Sequence, residues 1–586
     1  MSEIISQKTI NLFNEYFCLI KTLNKDNNDF DINSIDLISE KLKKIISIKQ
    51  MIALINENNL WTKFLRKTLK TSLNEQLIEI IGEKLLELII DLMKKLSVNE
   101  ISLETTLELI CGHSMFNTIL IDEKYITSQI KYQLVLILSL IYEKDLNLIN
   151  NYRNNNEIIA IVLSAYNLSL AKTDQNLLKL LSFMEKNGLN LYRFQPFLWG
   201  VNGAIHYSIK NKQKETLLKE PKMEQILSSI NENQLKNTLN QFPIDLTLSP
   251  IQVIDVQDGQ ELTDPRFLLP LFYQLLSNQS LVKCHKFVSY GCLSYAIGGL
   301  SSLCDDMRCL AYSVLSRFHS HLQMASFPKD RFLWIAIIDC IRSGVTEDNI
   351  RLKSLISVFL IRIIDVLLHP NDKLYETVRK FLMSRPTVHF NVLPDFYTNL
   401  FSSDNETHKR LQRFIISWIC DGLRTEEDIK LCLKRNVFSD LFSLFDSDLS
   451  EEENRVLILK IFQRMSRQYM GAKVLCTENA LFCWSKQTIF NLTIDSNSSV
   501  IIEEIFKIIE TVCQTLDVQN INQNSKQLLY PSFCEELIDI LENIIQLNPL
   551  SERIDFFDRI CHQMNVSEHK SELFFRLFEI LPKNVQ

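Results

Sequence analysis

Glycine and proline are scarce, at 12 and 13 residues in a chain of 586. Sheet proteins use these residues to turn about every eight to twelve positions, so the shortage argues against sandwiches and barrels. Close cysteine pairs are missing as well. The 14 cysteines are scattered and no CxxC occurs, whereas a zinc module draws two ligands from one short loop. Buried reduced thiols acting as small hydrophobes are the expectation. The opening MSEIISQKTI has no basic-then-apolar leader, and YQLVLILSLIY (132–142) is too short to span a bilayer. A soluble, intracellular chain is expected, in which Asn278-Gln279-Ser280 carries no glycan. An excess of positive charge is absent too. The net charge is −7, which excludes coating nucleic acid by bulk charge and leaves open a local basic stripe. There is no phosphate loop, because GAKVL (471–475) lacks the spaced glycine and the Lys-Ser/Thr. Gly291, Gly298 and Gly299 have the wrong spacing for a dinucleotide fingerprint; the last two suit close helix packing or a turn.

What is present is helical periodicity. Leu85, Leu88, Ile89, Leu92, Met93 and Leu96 share one helix face, opposite Glu83, Glu87, Asp91 and Lys95. The same period runs through Ile501, Ile505, Ile508, Val512 and Leu516, and through Leu537, Ile540, Leu541, Ile544 and Ile545. No strand–helix alternation appears, so a parallel sheet with a nucleotide crevice is not expected. The length exceeds one compact core. Four segments are read: N-terminal helical repeats at 1–190, a connecting segment with a polar loop at 191–263, a denser core at 264–480, and C-terminal helices at 481–586. In the core, VKCHKFVSYGCLSYAIGGLSSLCDDMRCLAYSVLSRFHSHL divides into two helices around SSLCDD. Asp305, Asp306, Met307, Arg308, Ala311 and Leu315 resemble the second helix of a HEAT repeat. The fold expectation is therefore all-α, a HEAT/armadillo-like solenoid of stacked helix pairs.

The stretch ELTDPRFLLPLFYQLL (261–276) has a local reading. Asp264 caps a helix, Pro265 sits in its first turn, Arg266 begins the exposed side, and Pro270 kinks the helix about a turn later. Helices at 265–277 and 306–322 are predicted to lie side by side.

The same residues carry a resemblance. DPRFLLPLF, FVSYGCL, GLSS, MRCLAYSVLSRFHSHL and LPDFYTNLFSSDNETHKRLQRFIISWICDGLR resemble the C-terminal region of the nucleolar pre-ribosomal-associated protein family. The likeness is strongest from Asp264 to about Phe445, and FQPFLWGVNGAIHY (194–207) belongs with it. Family members are usually much longer, with a large helical region ahead of this part. The resemblance implies a non-catalytic helical scaffold in the nucleolus of the nucleus, acting in early large-subunit ribosome assembly. It implies contacts with precursor ribosomal RNA and assembly factors including a DEAD-box helicase, without a cofactor, a membrane or a small-molecule substrate. The alternative is a general HEAT-like protein–protein adaptor unrelated to ribosomes. The family offers no functional residue to carry over.

Residue by residue, the structural reading outweighs a catalytic or metal-binding one. His319 and His321 would share a face on a strand, but on a helix they point to nearly opposite sides. Cys284-His285 and Cys561-His562 are adjacent in sequence only, with no nucleophile motif around them. Asp305 and Asp306 suit N-capping and the positive helix end. Arg308 is expected to pair with an acidic turn residue of a neighbouring repeat. For RNA, the basic clusters are KLKKIISIK (41–49), FLRKTLK (64–70), the 210–222 lysines and HKRLQRF (408–414), each set against an ordinary solvated helix face. Lys409, Arg410 and Arg413 are the preferred RNA or partner contacts. The five tryptophans, one per region, are expected core anchors.

Overall fold

The computed structural model describes residues 2–23, 40–41, 43, 60–74, 81–95, 103–125, 128–151, 155–195, 197–207, 222–255, 261–277, 282–325, 331–384, 387–401, 407–447, 450–492 and 499–523. The predicted periodic segment at 537–545 lies outside them, as do Cys561-His562, Asn278-Gln279-Ser280, Lys44, Lys49, Lys210, Lys212, Lys214 and Lys219. Among the described residues the chain is all-α with no strand. The only sheet-like pairing there is one antiparallel bridge between Ser169 and Thr263. Two compact units form: Met1–Thr238 with Pro243–Cys292 and Leu303–His321, and Leu239–Phe242 with Leu293–Ser302 and Leu322–Gln586.

In the first unit, helix Glu83–Lys95 buries Leu85, Leu88, Ile89, Leu92 and Met93 of the predicted face, and Leu86 and Ile90 besides, while Leu96 lies outside the described residues. The wider apolar arc has a cause: the helix packs against Leu60–Ser72 and also against Gln129–Lys144. Helix Gln129–Lys144 holds the YQLVLILSLIY run. Ser128 caps it, accepting from the Ile130 amide at 3.3 Å. It also packs against Lys172–Lys186, Leu103–Cys111 and Ser114–Ile121, so it is apolar nearly all round because it is covered on more than one side. No helix among the described residues is long and apolar enough to cross a membrane.

Helices Pro265–Leu275 and Asp305–Met324 lie side by side as predicted. Arg317 donates to the Tyr273 carbonyl at 2.7 Å and its guanidinium sits 3.4 Å from the Tyr273 ring centroid. The ring of Phe287 stands between Phe272 and Phe318, at 5.6 and 4.7 Å. The segment before SSLCDD is two helices, Cys284–Ser289 and Cys292–Gly299, rather than the single one predicted. The break falls at Gly291, whose φ of 76° is a left-handed conformation that glycine adopts at little cost. Helix Pro265–Leu275 continues through Pro270.

In the second unit, helix His408–Gly422 packs against Ser354–Leu368 and Glu452–Ser466, and the latter packs against Ser499–Gln523. Ile501, Ile505, Ile508, Val512 and Leu516 are buried as their spacing predicts. Trp418 is fully buried and donates to the Leu355 carbonyl at 2.7 Å. A Cβ on Gly422 would sit 2.7 Å from the Leu355 Cα, so glycine is what lets these two backbones approach. Gly298 is similarly close to the Phe242 ring, 3.0 Å from a Cβ placed there. Trp61, Trp199 and Trp334 are also core residues. Trp484 is half-buried and edge-on to Phe442 and Phe445.

Candidate functional site

Three groups of polar side chains stand out. The first lies in the first unit, at the entrance to helix Pro265–Leu275. Asp264 is its N-cap and accepts from the Arg266 amide at 2.9 Å, with Pro265 in the first turn, as the sequence predicts. Arg266 does not begin an exposed side: its side chain is 1% exposed and that of Asp264 is 0% exposed. The guanidinium forks the carboxylate, Nε to Oδ1 at 2.9 Å and Nη2 to Oδ2 at 2.7 Å. It also donates to the Gln252 carbonyl at 2.6 Å and reaches Gln175 Oε1 at 3.4 Å. Burial pushes the Asp264 carboxyl up, and the guanidinium pulls it back down.

Gln175 extends the group. Its amide nitrogen donates to the Leu170 and Ile254 carbonyls at 2.6 and 2.8 Å, and its oxygen accepts from the Ile254 amide at 2.9 Å. Asp174, one residue earlier, accepts from the Ser169 hydroxyl at 2.6 Å and the Asn167 amide at 3.2 Å. Burial raises its carboxyl, opposed by the charge of Lys131. Burial in turn lowers Lys131, whose ammonium donates to the Ala165 carbonyl at 2.8 Å. These groups spend their hydrogen bonds on each other and on loop backbone. Their arrangement is that of a clamp on the 165–175, 252–255 and 261–266 segments.

The second group is the predicted contact set on helix His408–Gly422. Lys409, Arg410 and Arg413 all sit on this helix, exposed, each beside a carboxylate. Lys409 pairs with Glu451 at 2.6 Å, Arg410 with Asp372 at 3.1 Å, and Arg413 with Glu453. The surface there has mixed charge, and a phosphate would compete with those carboxylates.

The third group was not read from the sequence. Asp421, near the end of the same helix, is shared by Arg362 of Ser354–Leu368 at 2.5 Å and Arg464 of Glu452–Ser466 at 3.3 Å. Arg424 donates to the Asp421, Phe242 and Asn240 carbonyls at 3.0, 2.9 and 2.6 Å, and burial pushes its guanidinium down to about 10. Arg351 donates to the Ser301 carbonyl at 2.9 Å and meets Glu427 at 3.4 Å. Asp428 closes a capping box with Thr425 and accepts from the Leu355 amide at 3.1 Å. The signal available in sequence was polar residues a turn or two apart on helices otherwise apolar: Arg410, Arg413, Ser417, Asp421 and Arg424.

The remaining predicted residues have structural surroundings. Arg308 pairs with Asp305 one turn earlier in its own helix and donates to the Leu303 carbonyl at 3.0 Å. The acidic partner expected from a neighbouring repeat is thus found locally. Asp305 and Asp306 occupy the first turn itself rather than the cap position, where their charge still favours the positive helix end. His319 and His321 lie on one helix, and His321 Nε2 is 3.3 Å from the Leu276 carbonyl. Lys67, in FLRKTLK, lies over the Phe17 ring at 4.2 Å. Of the described cysteines, Cys292, Cys340, Cys420 and Cys432 are buried, whereas Cys18, Cys309 and Cys483 are exposed, so the small-hydrophobe reading holds for only part of the set. Burial pushes the Cys111 thiol up to about 12.

Fold and polar groups together define a protein of packed helices whose buried ions act as struts between elements. Residues 293–484 match the family model described as Nucleolar pre-ribosomal-associated protein 1. Over those residues the chain is similar to the nucleolar pre-ribosomal-associated proteins, the family its motifs resemble. The human protein of that name is 28% identical over 437 residues, 72% of this chain and 19% of its own length. The mouse protein is 30% identical over 335 residues, 56% of this chain and 15% of its own. The protein of that name in Saccharomyces cerevisiae is 22% identical over 482 residues, 70% and 27% of the respective lengths. The chain thus spans about a fifth of the relatives it matches. No solved structure matches it.

Proposed function

We propose that the chain is a non-catalytic helical scaffold in early nucleolar assembly of the large ribosomal subunit. In this reading it holds precursor ribosomal RNA and assembly factors, a DEAD-box helicase among them, in register along stacked helices. The observation that carries the reading is the similarity to nucleolar pre-ribosomal-associated proteins over 72% of the chain. Two structural features support it. Helices Ser354–Leu368, His408–Gly422, Glu452–Ser466 and Ser499–Gln523 pack one on the next in chain order, with other helices between them, as suits a HEAT-like array. The described buried ions bond to one another and to backbone, as struts do, rather than converging as acid, base and nucleophile. The carboxylates beside Lys409, Arg410 and Arg413 give the HEAT-like adaptor reading its own support, since mixed charge suits a protein partner.

The test is sedimentation of the tagged chain from cell extract. Co-migration with large-subunit precursor particles, lost on nuclease treatment of the RNA, is the expected result. Migration with transport or adaptor complexes and free of precursor particles would favour the adaptor reading.

A further inference from the structure

The Asp421 group gathers cations from several helices of the second unit. Cys420 lies within electrostatic reach of Arg362, Lys460 and Arg464; Arg424 within reach of Arg351 and Arg464; Lys353 within reach of Arg351 and Lys434. The carboxylates in the same contacts as these seven cations are Asp421, Glu427 and Asp428. Arg351, Arg362, Arg424 and Arg464 are bound as struts. Lys434, Lys460 and Arg467 are exposed and, among the described residues, have no carboxylate partner. Lys460 and Arg464 lie on helix Glu452–Ser466 and Arg467 is its C-cap; the three fall at i, i+4 and i+7, each step about one helical turn of ~5.4 Å.

We propose that this cluster is a phosphate-contact surface, with Lys434, Lys460 and Arg467 taking the backbone phosphates of an RNA strand beside Arg464. The inference rests on the reading of the chain as an RNA-contacting assembly protein, and moves the contact away from Lys409, Arg410 and Arg413. Three features favour RNA over a protein partner. The free cations are not neutralised, unlike those at 409–413. The struts hold the surface rigid, so little order is lost on binding. A protein interface would use apolar anchors. Yet among the described residues no large hydrophobic side chain is exposed on helices Ser354–Leu368, His408–Gly422, Glu426–Leu433 or Glu452–Ser466.

The test uses the full chain, a fluorescein-labelled duplex RNA and a titration at several salt concentrations. The triple variant Lys434→Glu, Lys460→Glu, Arg467→Glu is expected to weaken binding and lower the log K against log salt slope by about three. Arg342→Glu, Lys373→Glu, Lys380→Glu, exposed cations of the same unit outside the cluster, is expected to change neither. Where the reversal lowers the thermal midpoint, the glutamine triple at 434, 460 and 467 replaces it, with the same direction expected. Unaltered RNA binding by the cluster variant would overturn the site and leave the RNA reading standing, as would loss of a co-purifying acidic protein without loss of RNA. Equal weakening in both triples would reduce the contact to bulk charge and also overturn it. Failure of the unsubstituted chain to bind RNA at any salt would remove the reading on which the site rests.

Discussion

Arg266→Met keeps most of the aliphatic stem of Arg266 and removes its guanidinium from a carboxylate that is 0% exposed. The change deletes the forked contact with Asp264, leaves the Gln252 carbonyl without that donor, and frees one of the contacts of Gln175 Oε1. The net worth of the pair is not the relevant figure, because its Coulomb gain is largely offset by desolvation. What counts is the buried charge left alone, which costs about 3–5 kcal/mol. Set against a domain stability of about 5–15 kcal/mol, that is a large share. Asp264→Asn with Arg266→Met removes the orphaned charge while asparagine retains the N-cap acceptor, so the double variant is expected to recover more than half of the loss. Urea unfolding gives the free energies, and hydrogen exchange of the 165–175 and 252–276 segments shows whether the loss is local to the clamp. A single-variant cost below about 1 kcal/mol, with exchange unchanged in both segments, would refute the reasoning. It would mean that water replaces the guanidinium and the pair is not dry.

His113 caps helix Ser114–Ile121 by accepting from the Met115 amide, which needs neutral imidazole, and burial lowers its pKa from an ordinary 6.5. A depressed histidine contributes stability present above its unfolded pKa and lost as pH falls through it. Unfolding titrations from pH 7 to 5 are therefore expected to show declining stability, with a shallower decline in His113→Asn. Gly422→Ala gains about 1 kcal/mol of helix propensity and meets the Leu355 Cα at 2.7 Å. Overpacking costs about 1–3 kcal/mol, so net destabilisation is expected in urea unfolding. Trp418→Phe keeps the ring contact with Phe359 and loses the bond to the Leu355 carbonyl. A loss of about 0.5–1.5 kcal/mol is expected, the worth of one hydrogen bond, since the helix ladder still pairs that carbonyl.

Period and caps made the helices legible in the sequence. The buried face of Glu83–Lys95, the 501–516 stripe and the Asp264-Pro265 helix start all depend on residues within a few turns of each other. Arg266 was not legible because what buries it comes from afar: Gln175 is 91 positions away. Lys409 and Arg410 had the right spacing for a basic patch, but their carboxylates are 42 and 38 positions off, on other segments. The Asp421 group was hidden for the same reason, as its arginines lie on helices whose adjacency only packing establishes. The division of helix 284–299 at Gly291 had a local signal in Tyr290-Gly291, which the periodic pattern around it masked.

Crosslinking the tagged chain to RNA in living cells, then purifying and sequencing what is bound, tests the scaffold claim most directly. Reads concentrated on large-subunit precursor, diminished by the Lys434, Lys460 and Arg467 charge reversals, are the predicted result. Recovery of transport receptors with no enrichment of ribosomal precursor would contradict the claim.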